Sequence, residues 1–213
     1  MIGSDTAAGA GPAGETLALA DWRRRVAELY SQVRATPDPL EAWQLWRAGR
    51  DDLFARHPQS PLPESERASF RGLPYFEHDP SARVLAEIAP VEPERLEIAT
   101  SQDSVFSFTR FGKAGFELAG QGLALELYWL EGYGGGLYVP FADATSGAGS
   151  FGGGRYLLDT VKGADLGTDG GRLVLDFNFA YNPSCAYDPR WVCPLAPPAN
   201  RLPVPIRAGE RMP

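Results

Sequence analysis

Apolar side chains recur at helical spacing through the first quarter of the chain. Between positions 17 and 35 they fall three or four residues apart, which places them on one face of a helix. Asp38 and Pro39 then supply an N-cap and a residue that fits the first helical turn, and a second stripe continues to Arg56. The pattern predicts a helical hairpin over residues 17–57, whose buried stripe contains Trp22, Val26, Leu29, Tyr30, Val33, Trp43, Trp46, Leu53 and Phe54.

From Leu96 onward the period of the pattern changes to two. Apolar and polar residues alternate in short runs, separated by glycine-rich turns of which 132–136 is an example. Short strands with tight turns are typical of an antiparallel meander. We therefore predict an α+β fold, in which a mainly antiparallel β-barrel or sandwich-like body follows the helical hairpin. The predicted strands include 105–109, 116–118, 123–129, 137–141, 155–159 and 172–178.

The domain organisation follows from these patterns. Residues 1–16 are small and Gly/Ala-rich and predict a disordered tail, and residues 17–213 predict a single domain. In this domain, a proline-interrupted linker and irregular segment over 58–95 follows the hairpin, and a β-rich body occupies 96–213. The body ends in a Pro-rich tail, 194–205, which we expect to run extended across its surface.

Composition and charge argue against several classes of partner. The chain of 213 residues carries a net charge of −7, whereas a nucleic-acid surface needs clustered Lys and Arg. No apolar run approaches the ~18 residues of a membrane helix, and the N-terminus lacks the basic and apolar regions of a signal peptide. We expect a cytoplasmic protein that binds neither nucleic acid nor membrane, and a homodimer stays open.

Motifs for metals and cofactors are missing from the sequence. His57 and His78 cannot form a multi-histidine metal site, and Cys185 and Cys193 are too few for a structural zinc site. The glycine-rich run 152–155 lacks the residues of a phosphate-binding or dinucleotide-binding loop. We predict no metal and no cofactor. The cysteines are interpreted as two buried thiols, with a disulfide disfavoured but left open.

A first polar segment carries candidate chemistry around residues 143–156. Asp143, Thr145 and Ser146 supply acceptors and hydroxyl groups where a strand ends. Arg155 opens the next strand with a planar cationic group suited to a carboxylate or phosphate, and Tyr156 beside it can donate a hydrogen bond. The alternative is that Arg155 pairs with Asp143, or with the carboxylate of the second segment, and only fixes the loop.

The second polar segment is the predicted strand 172–178. Alternation places Asp176 and Asn178 on the same face, about 7 Å apart. Bulky apolar neighbours would desolvate the carboxylate, which must then be neutralised, paired or hydrogen-bonded. A ligand pocket satisfies such a group, and so does a buried bridge to Arg155.

The chain after this strand is dense in turn-forming and aromatic residues. Asn182 lies in a turn signal, and Tyr187 can cover apolar surface while it keeps a polar tip available. Arg201 in the tail is a further candidate polar group of a pocket, as are Asn200 and Glu210.

Several of these segments resemble a known family. PFADATSG (140–147), GGGRYLLD (152–159) and the block from LDFNFAYNPSC to LPVPIRAGE (175–210) are similar to the bacterial and archaeal family of domain of unknown function 1684 (DUF1684). With the upstream pieces HPQSPL and GLPYFEHDP, the likeness covers most of the chain from about residue 40. It implies membership but no activity, because the family's name assigns none. In one departure, the loop 148–151 reads AGSF where members carry a polar pair and a tyrosine, so a chemistry that uses those side chains would be modified or lost.

These observations support three functions. The first is an enzyme that acts on a small polar or anionic metabolite by acid–base chemistry, of the lyase, isomerase or hydrolase type, in a pocket of the β-body. The second is a non-catalytic protein that binds the same class of small molecule, and the third is an interaction protein that docks through its Trp-rich helices. In the enzyme, the predicted catalytic residues are Asp143, Asp176 and Tyr156, and the predicted substrate-binding residues are Arg155, Asn178, Thr145, Ser146, Asn182 and Arg201.

Overall fold

The helical hairpin predicted at the N-terminus is present. In a computed structural model that describes residues 11–213, α1 spans Pro12–Ala35 and α2 spans Pro39–Arg56. The first helix therefore begins ahead of the predicted boundary at residue 17. Residues 1–10 of the predicted disordered tail lie outside the described residues. No helix of the described chain is both long and apolar enough to cross a membrane.

Local residue chemistry sets the starts of both helices. Pro12 occupies the first turn of α1, where a backbone N–H would have no helical partner, so the helix can begin there. Asp38 caps α2, because its side chain accepts a hydrogen bond from the backbone N–H of Glu41 at 2.7 Å. The cap and the proline after it confirm the predicted start of α2.

The strand β1, Arg83–Ala99, begins inside the segment that we predicted to be irregular, 58–95. A short helix, α3 (Glu64–Arg67), lies in the same segment. The strand contains two prolines, Pro90 and Pro93, and proline cannot donate to a β-ladder. The structure accommodates them where the pairing with the next strand shifts register, between Pro90 and Glu94, in an exposed part of the strand.

The other strands follow the predicted alternation in part: the predicted strands 105–109 and 116–118 form one continuous strand, and the short strand at 168–169 was not predicted. All neighbours pair antiparallel, and the turn between the second and third strands consists of Ala119 and Gly120, both with positive φ, as a tight hairpin requires. The strands are β2 (Val105–Leu118), β3 (Gln121–Leu130), β4 (Gly136–Phe141), β5 (Arg155–Asp159), β6 (Thr168–Asp169) and β7 (Arg172–Asp176). They form one sheet with the order β5-β4-β3-β2-β1-β7-β6.

The sheet curls but does not close into a barrel. Its end strands β5 and β6 share no ladder within residues 11–213. Curling nevertheless brings distant strands together, since the ring of Phe141 on β4 lies 5.1 Å from that of Phe177, just after β7. An isolated bridge between Tyr156 and Tyr181 crosses the remaining gap. Of the two predicted architectures the closed barrel is therefore wrong, and an open, sandwich-like body fits.

The tryptophans of α2 face this body. Trp46 is fully buried, and its ring centroid lies 5.2 Å from that of Phe179 and 5.6 Å from that of Tyr75. Trp43 is also buried, and its Nε1–H donates to the backbone carbonyl of Asn178 at 3.2 Å. These contacts place both tryptophans in the core.

The strand β7 ends at Asp176, short of the predicted end at Asn178. Residues Phe177–Phe179 instead form a 3-10 turn, which Asp176 caps by accepting from the backbone N–H of Asn178 at 3.0 Å. The two side chains therefore do not stand about 7 Å apart on one strand face, as predicted from the rise per residue. The short polar side chain of Asp176 offers the backbone an alternative to continuing the strand.

The C-terminal tail lies extended across the body. Leu202, Val204, Ile206 and Ala208 are buried, and the residues between them are exposed. This alternation holds the tail against the protein through every second side chain. The backbone carbonyls of the tail consequently come within reach of side chains in the sheet.

Candidate functional site

Arg155 and Asp143 form a buried ion pair. Nη2 of Arg155 lies 2.6 Å from Oδ2 of Asp143, and neither side chain is more than 1% exposed. Nη2 also donates to the carbonyl of Ile206 at 2.9 Å, and Nη1 donates to the carbonyls of Ala208 and Glu210. Burial lowers the pKa of Arg155, and the Asp143 carboxylate opposes that shift. Of the two carboxylates considered as partners, Asp143 is the one found, and both terminal nitrogens are engaged within the protein.

The loop beside this pair is closed by its own hydrogen bonds. The backbone N–H of Thr145 donates to Asp143 Oδ1, and the Thr145 hydroxyl lies 2.8 Å from that of Ser150. The Ser146 hydroxyl accepts from the backbone N–H of Asp143 at 3.0 Å. Asp143, Thr145, Ser146 and Arg155 therefore lie together, as predicted, but as a network whose groups are largely paired with one another.

Asp176 and Asn178 also lie together, in a different place. Oδ1 of Asp176 accepts from the backbone N–H of Asn178 at 3.0 Å and from its Nδ2 at 2.9 Å. The amide of Asn178 is held in turn by Asp79, whose backbone N–H and carbonyl bind it at 2.9 and 2.8 Å. Asn178 is thus a positioning residue. Oδ2 of Asp176 takes part in no hydrogen bond with residues 11–213.

The environment of Asp176 favours its neutral form. The side chain is buried, and this burial raises the pKa of its carboxyl group. Hydrogen bonds from Asn178 oppose the shift, as do the charges of Arg83 and His78. Arg83 is the direct cross-strand partner of Asp176 in the β1–β7 ladder. A buried carboxyl with a raised pKa and one unengaged oxygen can exchange a proton with a bound molecule.

Asp176 lines a cleft of about 460 Å³ between the α1–α2 turn and the end of the sheet. That volume lies within the range of small-molecule sites. Arg34 and Thr36 contribute to its wall from the helical side, and Arg83 and Asp169 from the strands. A larger depression of about 1000 Å³ runs along β1 and β2, but all of its charged residues are exposed. The cleft is therefore the better candidate site.

The other predicted site residues lie away from this cleft. The Tyr156 hydroxyl donates to the carbonyl of Pro194, so it is engaged within the core. Nδ2 of Asn182 donates to the carbonyl of Arg211 at 2.7 Å, while its Oδ1 is buried without a partner among the described residues. Arg201 is exposed, and its backbone forms a bridge with Ala142.

A second buried ion pair was not predicted. Arg50 on α2 donates from Nε at 2.9 Å, and also from Nη2, to Oε1 of Glu210. The other oxygen of Glu210 accepts from the backbone N–H of Asn182 at 2.7 Å and from the Tyr187 hydroxyl at 2.9 Å. Burial lowers the pKa of Arg50, but the Glu210 carboxylate, together with the surrounding tyrosine hydroxyls, outweighs this effect and the pKa is raised. The signal was present in the sequence, because Arg50 stands on the apolar stripe between Trp46 and Phe54 and such a cation needs a buried partner.

A small cavity adjoins this pair where α1 and α2 meet the body. Tyr30, Arg50, Tyr156 and Asn182 are among its walls, and its volume is about 40 Å³. A space of this size can hold water-sized groups but not a metabolite. It is therefore a packing gap at the helix–sheet junction and not a ligand site, whereas the cleft at Asp176 is large enough for a small molecule.

The described residues bring no group of three or more His, Cys, Asp or Glu side chains into a metal-binding arrangement. They also keep the two predicted catalytic carboxylates apart. Asp143 belongs to the network with Arg155 and the tail, and Asp176 belongs to the cleft beside the helical hairpin. The two share no hydrogen-bonding partner among residues 11–213.

Fold and site together define a class: an α+β protein in which a helical hairpin packs on an open antiparallel sheet, with a cleft between them. The model of the family described as "Protein of unknown function (DUF1684)" matches residues 68–211, and the chain belongs to this family. A similar solved structure is the solution NMR structure of an uncharacterized protein from Haloarcula marismortui. It is 38% identical with a TM-score of 0.58, and the match covers 79% of this chain and 91% of that one. No curated protein matches the chain.

Proposed function

We propose that the protein is an enzyme that acts on a small polar or anionic metabolite by acid–base chemistry, with Asp176 as the general acid or base. One observation carries this proposal: a buried carboxyl group with an unengaged oxygen lines a cleft of about 460 Å³. General acid–base catalysis needs a group whose pKa is moved toward the working pH, and burial moves that of Asp176 upward.

The surroundings of Asp176 give each neighbour a distinct part in this proposal. Asn178 fixes the carboxyl group through two hydrogen bonds to Oδ1, which leaves Oδ2 free for a substrate. Arg83 and Arg34 line the same cleft and favour an anionic group on the ligand. Arg83 forms no ion pair with residues 11–213, so its charge is available. Asp143 and Arg155, in contrast, are assigned to stability.

A non-catalytic protein that binds the same ligand class is the second candidate, because the same cleft would serve both. Thermal-shift screening with a panel of small carboxylates, phosphates and polyols shows whether any of these compounds binds, because a bound ligand raises Tm. A ligand at 100 times its Kd adds roughly 2.7 kcal/mol, which is a rise in Tm of about 5–10 °C for a domain of this size. Docking through the Trp-rich helices has less support, because Trp43 and Trp46 are buried.

Turnover of the ligands that bind then tests catalysis. Asp176→Asn keeps the size of the side chain and an oxygen that can accept from Asn178, and we expect it to lower kcat by about 10²–10⁴-fold. Asp169→Asn is the matched control, because Asp169 lines the same cleft but is exposed, and we expect near-normal kcat. A near-normal kcat in Asp176→Asn, as in Asp169→Asn, would exclude Asp176 as the general acid or base. Binding without turnover by the wild type would leave the binding protein, and a panel without binding would remove the cleft as a site.

A further inference from the structure

The two cysteines lie near one cavity that is separate from the cleft, because Cys193 lines that cavity and so does Ser184, the residue before Cys185. Cys185 sits half-buried in the 3-10 turn Ser184–Ala186, and Cys193 is buried at 4% exposure. Both are free thiols. Ser101 fixes the second one, since its backbone N–H donates to the carbonyl of Cys193 at 2.8 Å and its hydroxyl accepts from the Cys193 N–H at 3.2 Å. The position of Cys193 is therefore well defined.

Cys193 forms part of the wall of a cavity of about 100 Å³. Trp22 and Trp191 give this cavity apolar walls, and Lys162 and Arg23 give it two cationic groups. The space accepts a molecule of a few atoms but not a folded partner or a peptide. A buried thiol with cations at hand and a small adjoining cavity fits a nucleophile for a small electrophile.

The surroundings of Cys193 favour its thiolate. Its pKa is lowered, first by the adjacent Cys185 thiol and further by Lys162 and by the backbone N–H groups of Cys185 and Ser184, against the raising effect of burial. The pKa of Cys185 is raised, first by the neighbouring Cys193 thiol and then by burial. Other ionisable groups near the pair are Asp159, which lies 3.0 Å from Lys162, and the hydroxyls of Tyr138 and Tyr156.

We propose that Cys193 and Cys185 form a two-cysteine redox site that reduces small hydroperoxides such as hydrogen peroxide. The Cys193 thiolate attacks one peroxide oxygen. An S–O bond forms, the O–O bond breaks, and the leaving hydroxide takes a proton to become water. The sulfur is oxidised by two electrons to a sulfenic acid and the peroxide is reduced. Cys185 then attacks this sulfur, an S–S bond forms, and the sulfenic oxygen leaves as a second water with the proton of the Cys185 thiol. A low-molecular-weight dithiol returns the disulfide to two thiols.

The division of roles between the cysteines follows from their surroundings. Cys193 faces the cavity and the cation, so it meets the peroxide first. Cys185 lies beside it in a short turn and holds its proton, which suits the resolving thiol. The size of the cavity limits the oxidant to small peroxides, because Cys193 is too buried for a disulfide of another protein to reach.

Peptide mapping of the full chain tests the proposal without a variant. Trypsin cleaves between Arg190 and Trp191 and so places the two cysteines on separate peptides. In the reduced protein we expect Cys193 to react with iodoacetamide faster than Cys185, with a rate that rises at a lower pH than the ordinary ~8.5. Stoichiometric hydrogen peroxide should link the two peptides, and dithiothreitol should release them. No link after peroxide, or a link present from the start that dithiothreitol does not reduce, would overturn the proposal.

Three variants separate the roles of the two thiols and of the cation. In Cys185→Ser, hydrogen peroxide should leave a sulfenic acid on Cys193 that dimedone traps, whereas Cys193→Ser should give no adduct. Lys162→Met retains both thiols and should shift the alkylation profile of Cys193 to higher pH, which tests the site even if Cys193→Ser does not fold. Dimedone labelling of Cys185 instead of Cys193, or an unshifted profile in Lys162→Met, would contradict the assigned roles.

Discussion

The ion pair between Arg155 and Asp143 should be a principal source of stability in this protein. Replacement of Asp143 by Asn keeps the side-chain volume but leaves a buried guanidinium without a counter-charge and turns an amide N–H toward Nη2. Removal of one partner from a buried pair costs about 3–5 kcal/mol. For a domain of this length that loss lowers Tm by roughly 6–20 °C. Urea unfolding, followed by tryptophan fluorescence and circular dichroism, measures it.

The matched control for Asp143→Asn is an exposed pair in the same sheet. Glu94 lies 2.8 Å from Arg110, and both side chains are partly exposed. Glu94→Gln should therefore cost less than about 1 kcal/mol, because solvent screens such a pair. If Asp143→Asn also costs less than about 1 kcal/mol, the buried pair does not stabilise the fold and our interpretation of Arg155 is refuted.

Arg155→Met tests the connection of the pair to the tail. The substitution leaves the Asp143 carboxylate unpaired, and it also removes the donors to the carbonyls of Ile206, Ala208 and Glu210. We expect a loss of stability at least as large as in Asp143→Asn, together with local release of the tail. Trypsin should then cleave after the exposed Arg207 under native conditions, which mass spectrometry detects. A tail that stays protected in Arg155→Met would show that its apolar side chains alone hold it.

Three further outcomes follow from the backbone and from the cleft. Ala119→Asn should stabilise the β2–β3 hairpin by up to about 1 kcal/mol in urea unfolding, because Ala119 has a φ of 51° that Asn tolerates better. Gly209→Ala should cost roughly 2 kcal/mol more than Gly170→Ala: both glycines have positive φ, but a Cβ at Gly209 would lie 2.5 Å from the carbonyl oxygen of Ala180, whereas Gly170 faces open space. Burial raises the pKa of Asp176, so the stability that its protonated carboxyl group contributes is present at low pH and is lost as the pH rises through that pKa. Asp176→Asn should therefore be at least as stable as the wild type at pH 7. It should lose this advantage below about pH 4, where the carboxyl group of the wild type is protonated.

The sequence predicted the elements whose signals are local. The cap at Asp38 placed α2 correctly, and alternation placed β3, β4 and β5, because these features depend on neighbouring residues. Strand β1 was missed up to residue 95, which is most of its length, and its prolines are accommodated at the register shift between Pro90 and Glu94. The open sheet was one of two alternatives, because closure depends on curvature over the whole sheet.

The candidate site shows the same limit more strongly. Asp176 and Asn178 were identified as neighbours, but they were predicted to lie on one face of a strand and instead lie at a capped 3-10 turn. The local sequence is compatible with both conformations. Arg155 was recognised as a group that binds either a ligand or a carboxylate, yet three of its acceptors are backbone carbonyls. Every residue carries a backbone carbonyl, so the residue types do not reveal which carbonyls will accept hydrogen bonds from Arg155.

The anchoring of Glu210 to Arg50 has a consequence for synthesis of the chain. The two partners are 160 positions apart, and the carbonyls that bind Arg155 lie in the same late segment. At about 5–20 residues per second, a ribosome needs roughly 8–30 s to pass from one partner to the other. During that interval the helical hairpin carries Arg50 on its apolar face without the buried carboxylate that binds it in the folded protein. The ion pair that satisfies Arg50 can therefore form only after residue 210 has been synthesised, so this part of the junction between hairpin and body is completed last.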